Sequence, residues 1–124
     1  MKLHPDKFGL QTITAHGPGW IALNQEKITS SIVIGSRGQR FEWACRRFSD
    51  LTPEHFGQLA ELNSELVLFG SGEKLQFPKP AWLTRLMSQR IGLETMSTAA
   101  ACRTFNILAG EGRDVVAALI LESP

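Results

Sequence analysis

This 124-residue chain has no block of like charge, no long apolar run and no cysteine motif. Its 13 lysines and arginines face 12 aspartates and glutamates, a net charge of +1, so the overall balance offers no electrostatic handle for nucleic acid or an anionic membrane. Arg46-Arg47 beside Phe48 is a small basic spot, too little for a nucleic-acid track. The longest apolar stretch, Val115 to Leu121, falls far short of the roughly 20 residues that cross a bilayer. No membrane insertion is expected, and the stretch reads as a buried strand. Cys45 and Cys102 stand apart without CxxC spacing among three histidines, His4, His16 and His55, which leaves no metal site and no implied cofactor. The start, Met1-Lys2-Leu3-His4-Pro5-Asp6-Lys7, has neither an apolar h-region nor an amphipathic presequence, so a reducing cytoplasm is the expected compartment. What remains is 43% hydrophobic, 20% charged and 8% aromatic, the make-up of a soluble globular domain. A chain of this size buries about two-thirds of its extended surface on folding.

Patterning divides the chain into an exposed, flexible arm at 1–9 and a single α/β domain at 10–124. From Leu10 the sequence is strand-like. Gln11-Thr12-Ile13-Thr14 and Trp20-Ile21-Ala22-Leu23 flank the turn His16-Gly17-Pro18-Gly19, and Asn24-Gln25-Glu26-Lys27 turns again before Ile28 to Ile34, an antiparallel meander. Phe41-Glu42-Trp43-Ala44 alternates as a half-buried strand does. The second half changes period. Thr52, Pro53 and His55 fit an N-cap, a first helical proline and the third position of a capping box; Phe56, Leu59, Ala60 and Leu62 then make a helical face. Leu66-Val67-Leu68-Phe69 suits a strand covered on both faces. Pro80 opens a second helix with Trp82, Leu83, Leu86 and Met87 inward and Gly92 as its left-handed stop. Leu93 to Met96 is a strand, a third helix runs from Ser97 or Thr98 to about Ala109, and Asp114 to Leu121 closes a βαβαβ half with a largely parallel sheet. Together these predict an α/β domain, an antiparallel meander followed by a crossover half.

Three constellations bear on chemistry, each with a bland alternative. Gly70-Ser71-Gly72 follows an apolar strand as phosphate-cradling loops do, yet completes neither a Walker A nor a GxGxxG pattern, and two glycines also simply turn a chain. The helix start at Thr98 aims free N–H groups into the crevice at the strand ends, where open α/β sheets bind ligands. If the sheet is parallel, both open into one crevice, and a small anion fits between them, with Arg103 and Asn106 to add charge and an amide. The helix start with Ala99, Ala100 and Ala101 reads equally as close helix-to-sheet packing, and Arg103 with Asn106 as hydrogen bonds to the nearby chain. Glu111 and Arg113, in the tight link before the last strand, read as a structural corner. Cys102 shares a stripe with Phe105 and Ala109 and reads as core rather than nucleophile. No catalytic residue is assigned.

Leu66-Val67-Leu68-Phe69-Gly70-Ser71-Gly72, Pro78-Lys79-Pro80, Glu94 to Leu108 and Glu111 to Leu119 resemble the signature of a small family of uncharacterised domains. That family includes mitochondrial NADH:ubiquinone oxidoreductase (complex I) assembly factor three and an adipogenesis-associated Mth-type domain protein. The resemblance covers about Thr12 to Leu121, and Phe105 stands where many relatives carry tyrosine, so that hydroxyl is missing here. It implies a single three-layer α/β domain with a mixed central sheet and a shallow pocket at Gly70, Ser71, Gly72, Thr98, Arg103 and Asn106. It also implies a non-catalytic binding or assembly module with a protein partner, such as a membrane-complex subunit or assembly factor, in a prokaryotic member. The alternative is an enzyme or sensor for a small anionic metabolite held between the Gly70-Ser71-Gly72 loop and the helix at Thr98.

Overall fold

Alternating and helical apolar spacings settle into eight strands and three α-helices among the described residues, 11–122, of the computed structural model. In chain order these are β1 (Ile13–Gly17), β2 (Trp20–Leu23), β3 (Glu26–Ile28), β4 (Ile32–Gly35), β5 (Arg40–Glu42), α1 (Pro53–Ala60), β6 (Leu66–Gly70), α2 (Thr84–Ser88), β7 (Gly92–Met96), α3 (Thr98–Gly110) and β8 (Val115–Leu119). The arm expected at 1–9 lies outside the described residues.

Strands β1, β2 and β3 form the antiparallel meander. Asn24 and Gln25, at φ of 50° and 76°, supply the left-handed pair that a two-residue hairpin turn needs. The run from Ile28 to Ile34 is not one strand, as the sequence suggests, but two that belong to different sheets. Ser31 explains the break. It is buried, its hydroxyl accepts the Leu121 N–H at 2.9 Å, and its carbonyl accepts the Trp43 N–H at 2.9 Å, which fixes the crossing between sheets.

The larger sheet has the order β5-β4-β8-β6-β7. β6 runs parallel to both β7 and β8, and β4 is antiparallel to β8, so the crossover half predicted from sequence is present in a mixed sheet. Successive side chains point to opposite sides, and the inner strands β4, β8 and β6 are buried on both, whereas the edge strands β5 and β7 are only partly covered. Val67, Phe69, Val116, Ala118 and Val33 share one core with Trp43, Phe56, Leu59 and Leu86 of the α1 and α2 side. Leu68, Val115, Ala117, Leu119, Ile32 and Ile34 share the other with Ala101, Cys102 and Phe105 of α3 and with Ile13, Ile21 and Leu23 of the small sheet. The layers are therefore α1 and α2, the five-stranded sheet, and then α3 beside the small sheet.

Local chemistry sets the helix ends. The Thr52 N–H donates to His55 Nδ1 at 3.0 Å, so histidine does here what glutamate does in a capping box. His55 Nε2 lies 2.8 Å from the Ala44 carbonyl; with Nδ1 accepting, Nε2 carries the hydrogen and donates. The second helix departs from the sequence reading. It opens as a 3-10 turn at Pro80–Leu83 and becomes α-helical only in α2. Arg90, at φ 58°, takes the left-handed position, and Gly92 instead begins β7. Trp82 is half-buried rather than core, its ring stacked on Phe56 with centroids 5.8 Å apart, while Met87 is 68% exposed. Of α2 only Leu86 is buried.

Phe105 is wholly buried between sheet and helix. Phe105→Ala is expected to cost about 3–5 kcal/mol, measured by urea unfolding; a loss below 1 kcal/mol contradicts the packing described.

Candidate functional site

The parallel β6 and β7 end side by side, and the chain leaving each meets the other. The Ser71 N–H donates to the Met96 carbonyl at 2.9 Å, and the Thr98 N–H donates to the Gly72 carbonyl at 2.9 Å. In return the Gly72 N–H donates to Thr98 Oγ1 at 2.9 Å, while that hydroxyl donates to the Ile120 carbonyl at 2.8 Å. Thr98 thus ties the ends of three strands. Gly70 permits this because a Cβ there would stand 3.0 Å from Thr98 Cα and 3.0 Å from Leu119 Cδ2. Gly72 has φ +108°, and a Cβ on it would meet Glu122 Oε1 at 2.7 Å. Ser97 caps α3, its side chain accepting the Ala100 N–H at 3.2 Å.

Above this junction lies a cavity of about 300 Å³. Its walls are the turn at 16–19, the loop at Gly72 and Glu73, the start of α3 at 97–99, and the chain at 120–122. Glu122 Oε1 accepts the Glu73 N–H at 3.0 Å, so an internal carboxylate already stands at the loop where the sequence suggests an anion.

Of the six predicted ligand residues, Gly72 and Thr98 line the cavity. Gly70 and Ser71 lie beneath it, buried; the Ser71 hydroxyl donates to the Lys74 carbonyl at 2.7 Å and accepts the Gln76 N–H at 3.0 Å. Arg103 is exposed on α3 and is not among the lining residues. Asn106 serves another purpose: its Oδ1 accepts the Ile13 N–H at 3.0 Å and its Nδ2 donates to the Ile13 carbonyl at 2.7 Å, a fork that fastens β1 to α3. In the corner after α3, Glu111 is exposed, and Arg113 Nε stands 3.5 Å from Glu65 Oε1 with about half its side chain in solvent. The tighter bonds there belong to residues the sequence reading passed over. Ser36 Oγ donates to the Arg113 carbonyl at 2.8 Å, and Arg37 reaches Asp114 at 3.1 Å and the Leu62 carbonyl at 2.8 Å. The turn at 16–19 and Glu122 were also missed as cavity walls, because spacing within one segment says nothing of which distant turn covers it.

Reactive groups are scarce. Burial pushes the Cys45 and Cys102 thiols up to about 11, so both are protonated near neutral pH. Among the described residues no group of three or more His, Cys, Asp or Glu stands together to hold a metal.

The family model for a protein of unknown function, DUF498/DUF598, matches residues 13–120. The chain belongs to this family. A DUF498/DUF598 relative, bovine NADH dehydrogenase [ubiquinone] 1 alpha subcomplex assembly factor 3, is 35% identical over 81 residues, covering 64% of this chain and 44% of its own length. This chain therefore spans less than half of that relative. Among solved structures, a Mth938-like domain protein of Bordetella pertussis superposes with a TM-score of 0.84 at 32% identity, covering 99% of this chain and 94% of its own. An outer membrane protein of Bartonella henselae superposes with a TM-score of 0.77 at 29% identity, covering 93% of this chain and 98% of its own. The mixed α/β architecture is thus that of the Mth938-like proteins.

Three outcomes follow from the geometry. Gly72→Ala is expected to lower stability by about 1–3 kcal/mol through left-handed strain, read by urea unfolding, with the Glu73 and Glu122 amide resonances displaced. Asn106→Ala should cost about 1–3 kcal/mol, since it strips both backbone partners from Ile13. Arg113→Ala should cost under about 1 kcal/mol, because its ion pair is exposed; a larger loss in the same assay contradicts the corner as described.

Proposed function

We propose that this chain is a binding module, without chemistry of its own, that helps assemble or stabilise a membrane-associated complex of the respiratory type from the cytoplasmic side. The observation that carries this is kinship over most of the domain with a protein named as an assembly factor for NADH dehydrogenase. The Bartonella neighbour supports the membrane association, since this fold covers 98% of a solved chain named as an outer membrane protein. Among the described residues no helix is long and apolar enough to cross a membrane, so contact through partners or the bilayer surface suits the fold. The site agrees: the hydrogen-bonding groups at Gly72 and Thr98 are spent on the chain itself, and the thiols are protonated.

The test is genetic and biochemical together. Deleting the gene should lower the amount of one assembled membrane complex on native gels, and tagged chain, cross-linked in its own cell, should capture subunits or assembly intermediates of that same complex. A chain carrying Cys45→Ser and Cys102→Ala should restore the complex in full. Unchanged complex levels in the deletion strain, or rescue that depends on a thiol, overturns the proposal.

One observation favours a second reading, a small anion or a partner's carboxylate bound between the Gly70-Ser71-Gly72 loop and the helix at Thr98. The Glu122 carboxylate accepting the Glu73 N–H at the edge of this loop supports it, and an incoming anion would displace that carboxylate. Titration with phosphate and acetate should then move amide resonances at 70–74 and 98–103, and more so in Glu122→Gln. Still resonances in both proteins exclude this reading.

A further inference from the structure

Among the described residues four large apolar side chains are exposed, and two of them, Leu75 at 55% and Phe77 at 67%, lie on one short loop between β6 and the 3-10 turn at Pro80–Leu83. The loop is held from below. The buried Ser71 hydroxyl binds the Lys74 carbonyl and the Gln76 N–H, Pro78 is buried, and the Glu73 N–H is taken by Glu122. Rigid backbone thus presents two apolar side chains to water, with Lys74 and Lys79 on either side of them. Next along the chain Pro80 and Ala81 are exposed and Trp82 is half-buried, with the Lys79 ammonium 5.7 Å from the centre of its ring.

We propose that this loop is a peripheral membrane anchor: Leu75 and Phe77 enter the headgroup boundary of an anionic bilayer, and Lys74 and Lys79 lie against its phosphates. This rests on the membrane-associated reading above. Lysine is depleted at the cores of protein interfaces, whereas lysines beside an apolar element are what anionic bilayer surfaces attract. Tryptophan close by is equally at home at the membrane boundary. Glu73, the one acid in the loop, lines the neighbouring cavity. The chain's net charge of +1 conceals the local arrangement, in which apolar burial supplies the attraction and the two ammonium groups its preference for anionic lipid.

The full chain is mixed with sedimentable vesicles of phosphatidylethanolamine and phosphatidylglycerol, and with vesicles of phosphatidylcholine alone. Wild type should pellet with the anionic vesicles more than with the neutral ones, and less as salt rises. Leu75→Ser with Phe77→Ser should melt as wild type does and lose roughly tenfold or more of the partitioning. Lys74→Gln with Lys79→Gln should abolish the preference for anionic lipid. Phe77→Trp should emit further to the blue in anionic vesicles than in buffer. Equal pelleting of wild type and the serine variant overturns the anchor, as does no pelleting of wild type at all. A wild-type dimer that the serine variant splits, seen by light scattering, reassigns the loop to a second copy and overturns it too. Loss of captured complex subunits by the serine variant, with wild type indifferent to vesicles, makes the loop a protein contact and overturns the anchor. Since the proposed function is read from complex levels in the deletion strain, failure at the vesicle leaves that result standing by itself.

Discussion

The hydroxyl of Thr98 accepts from Gly72 and donates to Ile120, while the Thr98 N–H holds the Gly72 carbonyl. One side chain therefore sets where β6, β7 and β8 stop relative to one another. The cavity, the start of α3 and the departure of the loop at 73–79 all follow from that junction, because each begins within two residues of a group bonded there. A hydroxyl on a helix's first turn can donate to one strand end while accepting from another. Gly70 is the counterpart, leaving room where a methyl group would touch Thr98 Cα.

The same junction also occupies part of what an anion site would use. Helix starts at the ends of parallel strands bind anions when their N–H groups are free. Here the N–H groups of Gly72, Thr98 and Ala100 are bonded within the chain, Ser97 capping α3, and Glu122 accepts from the Glu73 N–H. What remains is a recess beside a loop pinned by the Ser71 hydroxyl and the Glu122 carboxylate.

Most of the architecture was legible in the residues. Val67 and Phe69 alternate with Leu68, so both faces of β6 had to be covered, and the order of strands and helices after Thr52 required parallel pairing. Thr52, Pro53 and His55 announced α1. Legibility failed where long-range contacts overruled local pattern. Nothing in Ile28 to Ile34 signals that Ser31 will be claimed by Leu121 and Trp43, so the strand appeared continuous. Gly92 looked like a helix stop because glycine usually is one, yet Arg90 took that conformation. In the site, adjacency of Gly72 and Thr98 could be inferred from parallel pairing alone. The fate of Asn106 could not, because its partner Ile13 lies 93 positions away; a polar residue on a helix face looks the same whether it meets a ligand or a neighbouring strand.

The position of β8 in the sheet has a kinetic consequence. It is the last of the described strands to leave the ribosome, yet it stands between β4 and β6. Until it arrives, those two strands have no common neighbour. Pairings of such high sequence separation make folding slow, and unpaired strand edges in the waiting chain invite association with other chains. Synthesis of this domain therefore ends with its most consequential insertion, and a nascent chain stalled before Val115 is the species most in need of a chaperone.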